Sequence, residues 1–160
     1  MLDKLIKYFV YATKGNITKT QLIKFLYLAD LYSVKWTGKQ LTELDWYYYS
    51  FGPWHEDIDA ALGKMNGKEI AVDSNGNATL IRLGSQASNV EDLQLPQSLK
   101  LMLDNIRREW AGAGQEKIRQ LLDYVYNTAP MLEVKDKHKP EEKVRLNLQT
   151  EREKLISELD

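Results

Sequence analysis

Residues 18–62, TKTQLIKFLYLADLYSVKWTGKQLTELDWYYYSFGPWHEDIDAAL, decide how this chain folds. Thr18, with Gln21 three residues later, has the spacing of a capping box, which satisfies two orphan amides at a helix start. Leu22, Phe25, Leu26, Ala29, Tyr32 and Trp36 then recur at helical spacing and line one face, and Gly38 ends the run. Trp46, Tyr48 and Ser50 alternate with Tyr47, Tyr49 and Phe51, the pattern of a short aromatic strand. Gly52-Pro53 follows, with Pro53 placed for the first helical position and Glu56 and Asp57 for the first turn, where acids complement the dipole. Trp54, Ile58, Leu62 and Met65 give that helix an apolar stripe, and Gly67 closes it.

Outward from this stretch, Leu2, Leu5, Ile6, Phe9 and Ala12 predict a helix over residues 2–14, stopped by Gly15-Asn16. Residues 69–83, EIAVDSNGNATLIRL, read as a β-hairpin around Asn75-Gly76, a type I′ turn signal. Pro96 opens a helix carrying Leu99, Leu103, Ile106 and Trp110. Another runs from about Gln115 to Asn127 with Ile118, Leu121, Leu122 and Val125 inward, and Thr128-Ala129-Pro130 ends it. Beyond Pro130 the chain is dense in charges of both signs and poor in core residues, reading as a solvated linker before a weakly amphipathic last helix. The fold class expected is mainly α with a small antiparallel β element. It is a compact helical domain over residues 1–130, partly winged-helix-like, followed by a charged, partly helical extension over 131–160.

Composition narrows the function. The 160 residues are 43% hydrophobic and 28% charged, enough apolar material to build one core of ordinary size. Twenty-two basic residues against 23 acidic ones leave a net charge of −1, without a global pull toward nucleic acid or anionic membrane. The absence of cysteine removes disulfides, thiol nucleophiles and cysteine metal sites together. Asp3 and three lysines interrupt the apolar residues of MLDKLIKYFVYATKGN, unlike a signal sequence. No run approaches the roughly 18–20 apolar residues that span a bilayer. A soluble, cytoplasmic protein without membrane attachment is expected.

Catalytic patterns are missing. Zinc sites draw three or four ligands from His, Cys and carboxylates, whereas this chain offers His55 and His138 only. None of the serines stands in a G-x-S-x-G setting, Ser50-Phe51-Gly52 lacking the first glycine. Asp57 and Asp59 lie two apart, on different helix faces. Phosphate-cradling glycine motifs do not occur. No enzyme activity and no cofactor are expected. The aromatic excess is the sharper signal: Trp46, Tyr47, Tyr48, Tyr49, Phe51 and Trp54 crowd into nine residues. Aromatics on both faces of a strand exceed what one core contact needs, so one face is a candidate to meet a protein partner.

Three helices before a hairpin also suggest a winged-helix DNA-binding regulator. Against it, the helix after Gly52 is acidic, with Lys64 its only cation, whereas recognition helices present Arg, Lys, Asn or Gln. Nucleic acid is therefore not the expected partner.

Four ordered pieces carry a family resemblance: Lys24-Phe25-Leu26-Tyr27-Leu28-Ala29-Asp30; Thr37-Gly38 followed by Leu41-Thr42; Asp45-Trp46; and Phe51-Gly52-Pro53. This resembles the Panacea domain of SocA-like antitoxins and phage-associated proteins, whose pattern runs K-L-L-Y-L-A-D, G-[RK]-x-[IL]-T, an aromatic strand, and Y/F-G-P. Pro130 looks like that family's proline near the domain end. Thr18, Gly38, Asp45, Gly52, Pro53 and Pro130 are the structural motif positions. Trp54-His55 depart from the proline or small residue common after the family's G-P, which bears on partner specificity. The resemblance implies an antitoxin that neutralises a cognate protein toxin, encoded beside it, by direct contact; some members act as adaptors that deliver the toxin to a protease. The partner-binding candidates are Lys24, Tyr27, Asp30, Tyr47, Tyr49, Trp54 and His55. Lys24 and Tyr27 are read at the surface edge of their helix, and Asp30 near the edge of its apolar stripe.

Overall fold

Helix α2 (Lys19–Thr37) is the axis around which the rest of the chain is wound. The computed structural model describes residues 1–49, 52–74, 76–112, 114–137, 139 and 142–159. Thr18 caps α2 as its sequence predicts: its Oγ1 accepts the Gln21 amide at 3.1 Å, and Gln21 Oε1 accepts the Thr18 amide at 3.0 Å. At the other end Gly38 adopts the left-handed conformation at φ 80° and donates its amide to the Val34 carbonyl.

The helix is not one-sided. Leu28 and Leu31, off the expected stripe, are as buried as Leu22, Phe25 and Leu26, and Ile23 is buried too, so α2 is a core helix rather than a surface amphipath. Burial of a side chain such as Leu or Phe contributes about 1.5–3 kcal/mol. Helix α1 (Leu2–Ala12), α4 (Gln97–Trp110), α5 (Gln115–Tyr126) and α7 (Gln149–Leu159) all pack against it. Trp36, expected inward, is 64% exposed, because it lies in the last turn of α2; Lys35 Nζ sits 5.4 Å from its ring centroid.

Two small antiparallel sheets complete the fold. In the first, β1 (Ile17–Thr18), β5 (Leu80–Leu83) and β4 (Ile70–Asp73) lie in the order β1-β5-β4. Apart from a pair of strands inserted between α2 and α3 (Glu56–Met65), the succession α1-β1-α2-α3-β4-β5 follows the winged-helix order. The hairpin ladder ends at Asp73 opposite Leu80, so its connection is longer than the two-residue turn that Asn75-Gly76 suggests. Asn75 itself lies outside the described residues.

The second sheet corrects the reading of Gly52-Pro53. Gly52–Trp54 is a strand, β3, and not a helix start; it pairs with β2 (Tyr47–Tyr49) through Tyr48 opposite Pro53 and Tyr47 opposite Trp54. The order is β3-β2-β6, with β6 Val144–Arg145. Proline lacks an amide donor and is tolerated on an edge strand, the place β3 occupies. Helix α3 begins after His55, whose Nδ1 accepts the Asp57 amide at 3.0 Å, and Ile58, Leu62 and Met65 face the core as expected. Trp54 belongs to β3 and is not part of that stripe. Ser50 and Phe51, on which the strand and the F-G-P motif also drew, lie outside the described residues.

After α5 the chain turns at Asn127 and re-enters a helix at once: Pro130 stands in the first turn of α6 (Ala129–Val134). The charged stretch that follows is tied to the body, unlike the solvated linker read from its charges. Leu146 and Leu148 are buried in the same core as α2. The Leu146 amide donates to the Trp46 carbonyl at 2.8 Å, the Arg152 guanidinium to the Lys35 carbonyl at 3.0 Å, and the Ala129 amide to Glu151 Oε2 at 2.8 Å. His138 lies outside the described residues.

Candidate functional site

Most residues that make this sequence distinctive converge on the interior. Asp30 is completely buried on α2, and its carboxylate accepts four donors. Oδ1 takes the amides of Leu41 and Thr42 at 3.0 and 2.9 Å; Oδ2 takes the Thr42 hydroxyl and Trp46 Nε1, the latter at 2.8 Å. The Gly38 turn brings the chain back over the helix that carries Asp30, and Gln40 Nε2 holds the bend by donating to the Leu44 carbonyl at 2.7 Å. Burial pushes the Asp30 pKa up, and the donors from Thr42, Trp46 and Leu41 pull it back.

One helical turn earlier, Tyr27 is equally buried. Its hydroxyl is bonded to Thr128 Oγ1 at 2.8 Å and its ring meets Trp46 edge-on, centroids 5.6 Å apart. Burial pushes this phenol well above the ordinary tyrosine range. Tyr27 and Asp30 thus join α2, the 38–46 connection and the α5–α6 corner. Both side chains are fully buried, which corrects their placement near the helix edge.

A different surface is built by the β2–β3 hairpin. Tyr47, Tyr49 and Trp54 are half-buried. Tyr49 and Trp54 lie side by side with centroids 5.3 Å apart, and Tyr47 stacks on His55 at 5.9 Å. Lys143, from the charged stretch before β6, places its Nζ 5.0 Å from the Trp54 ring and 5.7 Å from Tyr49. The sequence gives no signal for Lys143, because it reaches the hairpin only through the β2–β6 pairing of Tyr48 with Val144.

Beneath the hairpin stands Lys24, read from the sequence as a surface-edge residue and 7% exposed in the fold. It borders a recess of about 280 Å³ together with Ile23, Tyr49, Gly52, Pro53 and Trp54. A Cβ on Gly52 would stand 2.9 Å from Lys24 Nζ, and φ of +148° at that position also favours glycine. Burial pulls the Lys24 ammonium down to about 8. A larger recess of about 470 Å³ near Leu2 and Thr42 is lined by the exposed side chains of Glu43 and Asp57 and by Met1.

Among the described residues no three His, Cys, Asp or Glu side chains group as a metal site, and no helix is long and apolar enough to cross a membrane. The geometry offers an aromatic hairpin held by a buried polar network, with one buried cation below it. The sequence model of the family described as antitoxin SocA-like, Panacea domain, matches residues 22–158. No curated protein and no solved structure matches the chain.

Proposed function

We propose, from the premise that this chain belongs to the antitoxin SocA-like Panacea-domain family, that it neutralises a cognate protein toxin by stoichiometric binding rather than by catalysis. The family match over residues 22–158 carries the reading. That range takes in most of α2, both strands of the aromatic hairpin and most of α7. The expected partner is the product of the adjacent gene, met in the cytoplasm.

The hairpin is the contact surface we propose. A nanomolar complex is worth about −12 kcal/mol, and a few well-packed aromatic anchors commonly supply most of such an energy. Tyr47, Tyr49, Trp54 and His55 are half-buried in a fixed arrangement. Little side-chain freedom is therefore left to lose on binding. Tyr27 and Asp30 act behind them by holding Trp46 and the 38–46 connection in place. The first turn of α3 carries Glu56, Asp57 and Asp59, and DNA phosphates would be repelled there, which weighs against the winged-helix regulator.

Growth rescue tests this function. The adjacent open reading frame is expressed alone and then together with this protein. Rescue with a stable co-purifying complex is the expected result. A product that is not toxic, or is toxic and unrelieved, overturns the antitoxin role. Rescue that depends on a cellular protease, with turnover of the toxin, replaces occlusion with the adaptor mechanism.

A further inference from the structure

Lys24 is out of place energetically. A buried ammonium is normally paired or hydrogen-bonded, yet among the described residues Lys24 has no carboxylate within ion-pair distance and no hydrogen-bond acceptor. The cations and carboxylates around the hairpin pair elsewhere. Lys19 contacts Asp59, Arg145 pairs with Asp45 at 2.7 Å, and Lys143 lies over the Tyr49 and Trp54 rings. The recess at Lys24 is thus walled by aromatic rings and floored by a cation with no partner among the described residues, and a second cation, Lys143, stands over the same two rings.

From this juxtaposition we infer that the recess is an acceptor site for an acidic side chain, aspartate or glutamate, of the protein partner, which seats its carboxylate on Lys24 beside Tyr49 and Trp54. The inference rests on the antitoxin reading for the identity of the occupant. Size favours a side chain: about 280 Å³ falls below the roughly 300–1,000 Å³ of small-molecule sites. Charge favours an acid, since Lys24 and Lys143 are both cations beside the same two rings. Geometry disfavours strand addition at this place, because Pro53 on the β3 edge has no amide to offer an incoming strand.

Such a site explains why the free protein tolerates an unpaired buried charge: the partner completes the pair. Removing one member of a desolvated pair leaves the other uncompensated. Lys24→Met should therefore weaken the complex by at least about 30-fold, a 2 kcal/mol effect. The same variant should raise, not lower, the melting temperature of the free protein, a pairing that a merely structural lysine would not show.

The test has two arms. In the first, the free full-length protein is titrated with phenylacetate and, separately, with the neutral phenylacetamide, following the Trp54 indole N–H by NMR. Saturable shifts with phenylacetate alone, abolished in Lys24→Met, are expected. Equal responses to both probes, or an unchanged response in the variant, overturn the carboxylate site. In the second arm, wild type and Lys24→Met are compared in toxin rescue and pull-down. Loss of both in a variant that stays folded, reproduced by a single Asp→Asn or Glu→Gln change in the toxin, supports the site. Full rescue by Lys24→Met overturns the inference while leaving the antitoxin role intact. Loss that only deletion of the toxin's C-terminal residue reproduces overturns the side-chain assignment in favour of a terminal carboxylate. If wild type fails to rescue while the first arm succeeds, the antitoxin role falls and so does the toxin as occupant.

Discussion

Asp30 and Lys24 sit on the same helix, six positions apart, both withdrawn from water, and they are treated in opposite ways. Asp30 is enclosed by four donors from the 38–46 connection; Lys24 is enclosed by Tyr49, Gly52, Pro53 and Trp54, with no acceptor among the described residues around it. A satisfied buried charge organises structure, because every donor it collects fixes another piece of chain. An unsatisfied one is a standing destabilisation that only a function or an outside partner rationalises. The pair thus separates the part of α2 that builds the domain from the part that faces its use.

The hardest way to break the comparison is at Asp30. Asp30→Ala removes one acceptor group and leaves two amides, a hydroxyl and an indole N–H buried without a partner. A loss of about 3–5 kcal/mol is expected in urea denaturation, with Trp46 fluorescence reporting release of the connection. A loss under about 1 kcal/mol would mean that water replaces the carboxylate, and that Asp30 is no more structural than Lys24.

Lys24→Met should move the other way, stabilising the free protein by about 1–3 kcal/mol, since the ammonium is held down to about 8 by burial. The sign with pH follows from the same cause. Below about pH 8 the folded chain bears the desolvated charge and the destabilisation is fully present. Between about 8 and the ordinary 10.5 the folded chain has released a proton that the unfolded chain still holds, so stability relative to the variant rises. A stability gap between wild type and variant that does not narrow from pH 8 to 10.5 would show that Lys24 is not charged against its surroundings.

How much of this was readable beforehand depends on distance along the chain. The Thr18 capping box was legible because its two partners are three residues apart and their chemistry is local. Gly38 was legible for the same reason. The Asp30 network was half legible: its donors follow within one short connection, but only the fold shows that they all point at one carboxylate. Lys24 was misplaced because α2 was read as one-sided. The available signal was the apolar Ile23, Leu28 and Leu31 off the stripe, which mark a helix covered all round. Gly52-Pro53 satisfies helix-start chemistry as well as edge-strand chemistry, and pairing with β2 decides between them. Lys143, Leu146 and Leu148 sit among charges that outvote them in any window, and only the tertiary contacts with β2 and the α2 core reveal them.

Tyr27→Phe sharpens the scale between the extremes. The phenol has a buried partner in Thr128 at 2.8 Å, and Thr128 keeps a second bond by donating to the Val125 carbonyl at 2.7 Å. One satisfied neutral bond is removed while its partner is not orphaned, so a loss of about 1 kcal/mol is expected by thermal or urea unfolding. A loss as large as that for Asp30 would place the α5–α6 corner inside the same cooperative lock.

Arg145→Ala is the smallest expected effect, and it tests whether burial, rather than pairing as such, sets the scale. Arg145 and Asp45 meet at 2.7 Å across a hundred residues of sequence, with side chains 71% and 56% exposed. Their distance is shorter than three of the four bonds to Asp30, yet water already solvates both charges, so the ion pair should contribute under about 0.5 kcal/mol and fade with added salt. The backbone pairing of Tyr47 with Arg145 does not depend on the side chain and should survive the change. A loss above about 1 kcal/mol, unaffected by salt, would mean that the joint between β2 and β6 is held by the pair itself. The ordering from Asp30 to Lys24 would then reflect sequence motif rather than withdrawal from water.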